Sequence, residues 1–542
     1  MNIVDILERQ VDKNPSNIAV ITPLKKITGG YRYDKTSFLE LHNLVNSYAS
    51  ELKSMGVKRG MRTILFLRPS LDFTAMTFAL FKIGAVPVLI DPGMGRKNLL
   101  NAISLVGPKV LIAVPIVHLI RLFFKKSFLT IKYFISSGNY SWGSMKKLTS
   151  LKKEGPFDIK TERMSEDDEA AILFTSGGTG TPKGVKYTHE ILLKQSAILQ
   201  SLFNLKESDV DLAGFPLFSL FSIGLGMSSV IPDMNPSKPV KVIPKRVVRN
   251  ILDNEVTFVG GSPAIWERVS KYCMKNDVKL PSVKSLVMFG APVKESVHHD
   301  FQALLPNGTT YTPYGATEAL PVSNISGDYI LKNTKIKSIS GAGTCIGWSV
   351  PEMEIKIIAI SDDPILSMDD SNELGPLEIG EIIVKGDVVT SEYVHMKEET
   401  QKAKIFDDAC FWHRMGDVGY FDREGRLWFC GRKVHRVEMS DKTMYPIPCE
   451  AVFNRHKKVK RSALISLSTC NEVGIVIERE DQKVLSGKRL NKFNHELLEL
   501  AKKFPHTEAI DKIFHVKNFP VDVRHNIKID RIKLSKDLSP IL

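Results

Sequence analysis

The 542-residue chain has no uninterrupted apolar run able to cross a bilayer. Its best candidate, 111–124, is broken by Arg121 and followed by Lys125, Lys126 and Lys132, whereas a span needs about 20 apolar residues. Cysteine is scarce, and Cys273, Cys345, Cys410, Cys430, Cys449 and Cys470 form no close pair. That spacing excludes a disulfide framework and a thiolate metal site, and it suits a reducing compartment. No zinc pattern, RNA-recognition signature, internal repeat or low-complexity segment is present, so nucleic acid is not the expected partner. The opening "MNIVDILERQVDKNPSNIAV" reads as an amphipathic helix and a strand rather than a secretory leader. A cytoplasmic protein is expected.

What is present is an ordinary soluble composition, 43% hydrophobic and 25% charged. The length calls for more than one core. The net charge of +14 is less ordinary, and basic residues collect in 117–134, 238–249 and 455–461. Solvated faces account for much of such charge; a surface that meets anionic lipid or an anionic substrate accounts for the rest, so peripheral membrane contact is an open expectation.

Short β-rich runs at 63–67, 85–90, 109–114, 170–174, 256–260 and 285–289 alternate with helical stretches. This predicts an α/β fold with largely parallel, helix-covered sheets in a large N-terminal domain. After about 340 the runs 353–360, 380–386 and 425–433 read as antiparallel strands, a β-rich subdomain. A small α+β C-terminal domain follows. The expected boundary lies in "GRKVHR" 431–436, giving domains 1–432 and 433–542.

One segment carries chemistry on its face. "ILFTSGGTGTPKGVKY" 172–187 runs from an apolar strand into hydroxyls, glycines and one lysine, with a helix expected over 189–203. Glycines let backbone N–H groups turn inward, hydroxyls add donors and Lys183 adds a mobile charge, a combination suited to polyphosphate. It is neither a Walker loop nor a dinucleotide fingerprint. "GAGTCIG" 341–347 also looks glycine-rich, but its third glycine is misplaced for a dinucleotide, and it reads as a connector before the antiparallel strands.

With "MFGAPV" 288–293, "YTPYGATE" 311–318, "FWHRMGDVGYFDREGRLWFCGRK" 411–433 and "PVDVRHNIKIDR" 520–531, the loop resembles the adenylate-forming superfamily of acyl-CoA synthetases, luciferases and peptide-synthetase adenylation domains. The resemblance covers almost the whole chain. It implies ATP and Mg²⁺, with a carboxylate attacking the α-phosphate. Both reactants are anionic, so positive charge and positioning must come from the protein. By resemblance, Thr175, Ser176, Gly177, Thr179, Gly180 and Lys183 cradle the β- and γ-phosphates, Glu318 binds Mg²⁺ and Thr317 donates to the α-phosphate. Gly290, Ala291 and Pro292 line the base pocket, with Tyr314 and Gly315 beside the adenine. Asp417 accepts from the ribose hydroxyls, as an acceptor-only carboxylate can, and Arg432 contacts the ribose and phosphates. The lysine that bridges carboxylate and α-phosphate falls at Lys528, with Lys533 as competitor, and Val434 takes the hinge position.

The departures from the pattern bear on the second half-reaction. Gly178 replaces a hydroxyl residue, Ser219 stands where acyl-CoA synthetases carry histidine, and 431–450 lacks the glycine that lines a pantetheine tunnel, offering Glu438, Asp441 and Lys442 instead. "TPYGATEALPV", "DLAGFPLFSLF" and "SVIPDMNPSKPV" further resemble the β-lactone synthetase branch found in bacterial long-chain olefin biosynthesis. This implies a 2-alkyl-3-hydroxy fatty acid, closure of a β-lactone by its own 3-hydroxyl, and other olefin-biosynthesis enzymes as partners. The alternatives are a long-chain fatty acid–CoA ligase or fatty acyl-AMP ligase, and a catalytically dead nucleotide-binding regulator. Residues 215–231 read equally as a lipid pocket lining or as a packing seam, and His435 and His525 are candidates for the base that takes the hydroxyl proton.

Overall fold

A computed structural model describes residues 1–27, 29–138, 141–155, 157, 159–175, 181–408, 410–467, 472–482, 485–521 and 529–538. Among the described residues, two seven-stranded sheets and one eight-stranded sheet carry the bulk of the chain. The first runs in the order 309–311, 285–288, 258–261, 210–213, 228–230, 18–25, 31–37, parallel except for its last hairpin. The second runs 146–147, 133–136, 110–113, 62–66, 86–89, 169–175, 183–188, again parallel with an antiparallel last strand.

Inner strands such as Val110–Ala113 and Ser285–Met288 are buried along their whole length, as strands covered on both faces must be. Helices Phe38–Ser54 and Leu71–Lys82 lie between the two sheets, and their Phe38, Leu41, Tyr48, Phe78 and Phe81 share one core with Val20 of the first sheet and Leu65 of the second. The first of these helices is set by a reciprocal capping box between Ser37 and Glu40. Helices 244–253 and 263–276 cover the outer face of the first sheet. Helix 96–106 covers the outer face of the second.

The antiparallel sheet starts earlier than the sequence suggests, at Tyr314–Ala316 paired with Ala319–Asn324. Both are short, and the second contains Pro321, so neither shows a strand-like alternation. "GAGTCIG" is only half connector. Residues 327–342 wind through helical turns, and Thr344–Ser349 is a strand pairing with Leu427–Arg432. Beyond it, strands Val459–Leu467, Glu472–Arg479 and Lys512–Val516 form a three-stranded sheet packed by helices Pro446–Asn454, Gly487–Ala501 and Arg531–Leu538. Phe453, Ile475, Ile477, Phe493 and Leu497 give it a core of its own.

Candidate active site

The phosphate-loop region begins where strand Glu169–Thr175 ends and closes where Lys183–Thr188 returns antiparallel, with Thr175 opposite Lys183. Ser176, Gly177, Thr179 and Gly180 lie outside the described residues. Lys183 is held at the loop's exit. Its ammonium is 2.6 Å from Glu399 Oε2 and 4.8 Å from the centre of the Tyr393 ring. That ion pair, the leading cause, holds the Glu399 carboxyl below its ordinary range.

Tyr393 ties this lysine to the 314–318 hairpin, since its hydroxyl donates to Glu318 Oε1 at 2.8 Å. The Glu318 carbonyl accepts from the Thr390 amide and hydroxyl at 2.9 and 3.1 Å, and the Thr317 carbonyl accepts from Tyr187 at 2.6 Å. The backbone of both motif residues is thus fixed from outside the motif, leaving the Thr317 hydroxyl and the Glu318 carboxylate as the chemical groups. Burial first, then the Glu318 charge, pushes the Tyr393 phenol far up, so it stays a donor. Behind Glu318, burial lowers the Lys404 ammonium to about 7, against the attraction of Glu318.

The residues expected at the nucleoside form a second cluster. Asp417 and Arg432 are cross-strand partners, with the guanidinium 3.1 Å from Asp417 Oδ1. The Tyr314 hydroxyl donates to Asp417 Oδ2 at 2.6 Å. Burial and then Asp417 raise the Tyr314 phenol well above its ordinary range. Gly315 is demanded by packing, because a Cβ there would sit 2.7 Å from the Ala319 carbonyl oxygen. Gly290 follows strand Ser285–Met288 with φ +88, in the left-handed region that favours glycine, and exposes the backbone of 290–292.

Lys528 and His525 lie outside the described residues, but their flank is placed. Val521 bridges Ile529, and Arg531 donates to Glu450 Oε1 at 2.5 Å and to the Leu464 carbonyl at 3.0 Å. Lys533 is exposed on helix Arg531–Leu538, its amide capped by Asp530 at 3.0 Å. His435 is pushed down to about 4, by burial and then by Arg531 and Arg432, and so stays neutral at physiological pH.

An apolar cavity of about 50 Å³ lies beside these residues. Helix His189–Phe203 supplies Leu199 and Phe203, and helix Phe218–Gly224 supplies Phe218 and Phe221. Pro313, Leu320 and Pro321 of the 314–318 hairpin region form one wall, which places the cavity beside Glu318. One face of helix Phe218–Gly224 lines the cavity and another is a packing seam, since a Cβ at Gly224 would lie 2.1 Å from Ile6 Cδ1. Ser219 is spent locally, donating to the Pro216 carbonyl at 2.6 Å. Val437–Glu438 pairs with Thr443–Met444 as a short hairpin, and Glu438 is engaged by Arg436 at 2.8 Å.

The profile of the AMP-binding enzyme family matches residues 7–394. The chain belongs to the AMP-binding enzyme family. It is 38% identical over 543 residues to a protein named olefin beta-lactone synthetase in Xanthomonas campestris pv. campestris, covering 98% of this chain and 97% of that one. It is 37% identical over 549 residues, with the same coverage, to a protein of the same name in Stenotrophomonas maltophilia. Among solved structures, the amide bond synthetase McbA from Marinactinospora thermotolerans superposes with a TM-score of 0.80 at 19% identity, covering 99% of each chain, a likeness of fold. As an AMP-binding enzyme the chain is an AMP-forming, acid-activating ligase with the mixed α/β fold of that group. Tyr393, Glu399 and Lys404 lie beside these residues without standing in any of the motifs, and Tyr187 ends the 172–187 segment, which gives no sign of its contact with Thr317.

Proposed function

We propose that this AMP-binding enzyme activates a 2-alkyl-3-hydroxy fatty acid as its acyl adenylate and then closes a β-lactone. The similarity to the two olefin beta-lactone synthetases over nearly the whole chain carries the reading. The apolar cavity beside the Thr317–Glu318 hairpin supports it with a place for an alkyl chain, although the Phe215, Phe218 and Phe289 rings fill much of that space and must part to admit one.

In the first half-reaction ATP is a substrate. A carboxylate oxygen attacks the α-phosphorus, the bond to the bridging oxygen breaks, and pyrophosphate leaves. Lys183 leaves Glu399 to meet the β- and γ-phosphates, Thr317 donates to the α-phosphate, and Asp417 accepts from the ribose hydroxyls while Tyr314 and Arg432 hold its two oxygens in place. Lys528 brings a second positive charge to the oxygen where charge develops. One carboxylate together with substrate phosphates suits Mg²⁺, which takes few protein ligands; Glu318, oriented by Tyr393, fits that role. Mg²⁺ bound there would neutralise phosphate charge.

In the second half-reaction the substrate's 3-hydroxyl oxygen attacks the acyl carbon, the acyl–phosphate C–O bond breaks and AMP departs. The hydroxyl proton passes to a base at the site. His435 is a candidate acceptor on this chain, but burial, Arg531 and Arg432 make it a weak base, so the adenylate phosphate is the alternative acceptor. An internal nucleophile can act as if present at about 10⁵–10⁸ M, which offsets part of the four-membered ring strain. The hairpin at 437–444 in place of a glycine-bearing strand favours this route over transfer to CoA. The adenylation half is tested by acid-dependent exchange of pyrophosphate into ATP. Asp417→Asn should weaken ATP at least tenfold in that assay, and exchange that survives without loss would remove Asp417 from the nucleotide site.

A further inference from the structure

Helix Pro115–Phe123 is built inside out. Its polar members face the protein: His118 is fully buried with Nε2 3.0 Å from the Ile135 carbonyl, and the Arg121 guanidinium lies 3.9 Å from the centre of the Phe134 ring. Four of its apolar members face outward, with Ile116 58%, Leu119 46%, Leu122 45% and Phe123 82% exposed, while Val117 packs on the core. The following turn, Lys125–Phe128, buries Phe128 but exposes Lys125 and Lys126, and beyond it Leu129 stands 77% exposed next to exposed Lys132. Scattered exposed leucines need no explanation, but a contiguous projecting strip does.

The charge around this strip is of one sign. Residues 92–153 contain no Asp or Glu and eleven Lys or Arg. Lys146, Lys152 and Lys153 are engaged by Glu51 and Asp72 from elsewhere. Lys125, Lys126 and Lys132 take part in no ion pair among the described residues. Arg96 joins the same patch, its guanidinium 5.4 Å from the centre of the Phe124 ring.

We infer that helix Pro115–Phe123 and the turn after it form a docking surface for an anionic lipid bilayer. Nine residues rise about 13 Å, far short of a span, and among the described residues no helix is long and apolar enough to cross a membrane. The helix lies in the interface, with Leu119, Leu122, Phe123 and Leu129 in the acyl boundary and Lys125, Lys126 and Lys132 at the phosphate plane. A bilayer offers both features in one plane, an apolar layer and an anionic sheet. A protein partner would have to present an apolar groove edged with acid to match.

The experiment is flotation of the full chain with phosphatidylcholine vesicles, with and without phosphatidylglycerol. The wild type should float with the anionic vesicles only, and raised salt should release much of it. Lys125→Gln/Lys126→Gln should lower the partition coefficient by about fivefold per lysine. Leu122→Glu/Phe123→Glu should abolish flotation while leaving circular dichroism and acid-dependent pyrophosphate exchange unchanged. Because exchange needs no vesicle, its absence in the wild type would challenge the adenylation reading and leave this one standing. Equal flotation of the wild type and the Leu122→Glu/Phe123→Glu variant, or no flotation of the wild type, would overturn the inference. So would lipid-free self-association that the same variant abolishes, which would make the partner a second copy of the chain.

Discussion

The Lys183–Glu399 pair makes an unusual demand on the nucleotide, because the lysine proposed for the phosphates is already taken. The two side chains are 17% and 31% exposed, with the charged atoms 2.6 Å apart. At an effective dielectric of about 20 the gross Coulomb attraction is roughly 6 kcal/mol. Desolvation, screening and side-chain entropy reduce the net value of a partly exposed pair to about 1–2 kcal/mol. That is the amount ATP must overcome to recruit Lys183. Glu399→Gln keeps the shape and removes the competitor, so the KM for ATP in acid-dependent pyrophosphate release should fall by about five- to thirtyfold, a tenfold change corresponding to about 1.4 kcal/mol. Lys183→Ala should move it the other way, and the double variant should resemble Lys183→Ala. A KM that rises in Glu399→Gln would show that the carboxylate serves the bound nucleotide, for instance through its metal. An unchanged KM in both single variants would remove Lys183 from the phosphate site.

Lys528→Ala should slow adenylate formation by roughly 10²–10³, about 2.7–4 kcal/mol, whereas Lys533→Ala, exposed on its helix, should stay near wild type; the reverse ranking in pyrophosphate release would transfer the role. If the chain swings about 431–436, Val434→Pro at an exposed position should leave one half-reaction nearly intact and stall the other, and a variant with both intact would make such movement unnecessary. Buried Asp211, which lines the apolar cavity and accepts from Ser229 at 3.2 Å, is pushed up to about 7 chiefly by burial. Between about pH 4 and 7 the unfolded chain ionises this carboxyl while the folded chain keeps its proton, so stability falls as pH rises. Asp211→Asn should therefore gain in thermal stability relative to wild type across that window, by up to about 4 kcal/mol at 1.36 kcal/mol per unit. A pH-independent difference would refute the buried neutral acid.

Local pattern made much of this fold legible. Helix 189–203 stands where the sequence puts it, and the parallel strands lie within a residue or two of the apolar runs, because a strand covered on both faces must be apolar throughout. The strands at 314–324 were not legible, since three- to six-residue strands with a proline carry no period. In the candidate site, Tyr314 stands in one motif and Asp417 and Arg432 at the two ends of another, and the three meet in space. Tyr393 and Tyr187 were missed for a physical reason: their partners are 75 and 130 residues away, and nothing in "SEYVHM" or "VKYTH" marks a contact made only by folding. Asp211 was invisible likewise, since its unusual state comes from burial rather than from its neighbours in sequence.

The central claim is that the acyl adenylate is consumed by the substrate's own hydroxyl. The direct measurement is mass spectrometry of the product from a synthetic 2-alkyl-3-hydroxy acid, ATP and Mg²⁺, beside its 3-deoxy analogue, each with and without CoA. The hydroxy acid should give AMP, pyrophosphate and a product with the mass of the acid minus water, unchanged in rate or identity by CoA, while the deoxy acid should be adenylated and stall. A CoA thioester of the deoxy acid, formed as fast as AMP is released, would contradict the account and make the enzyme a thioester-forming ligase.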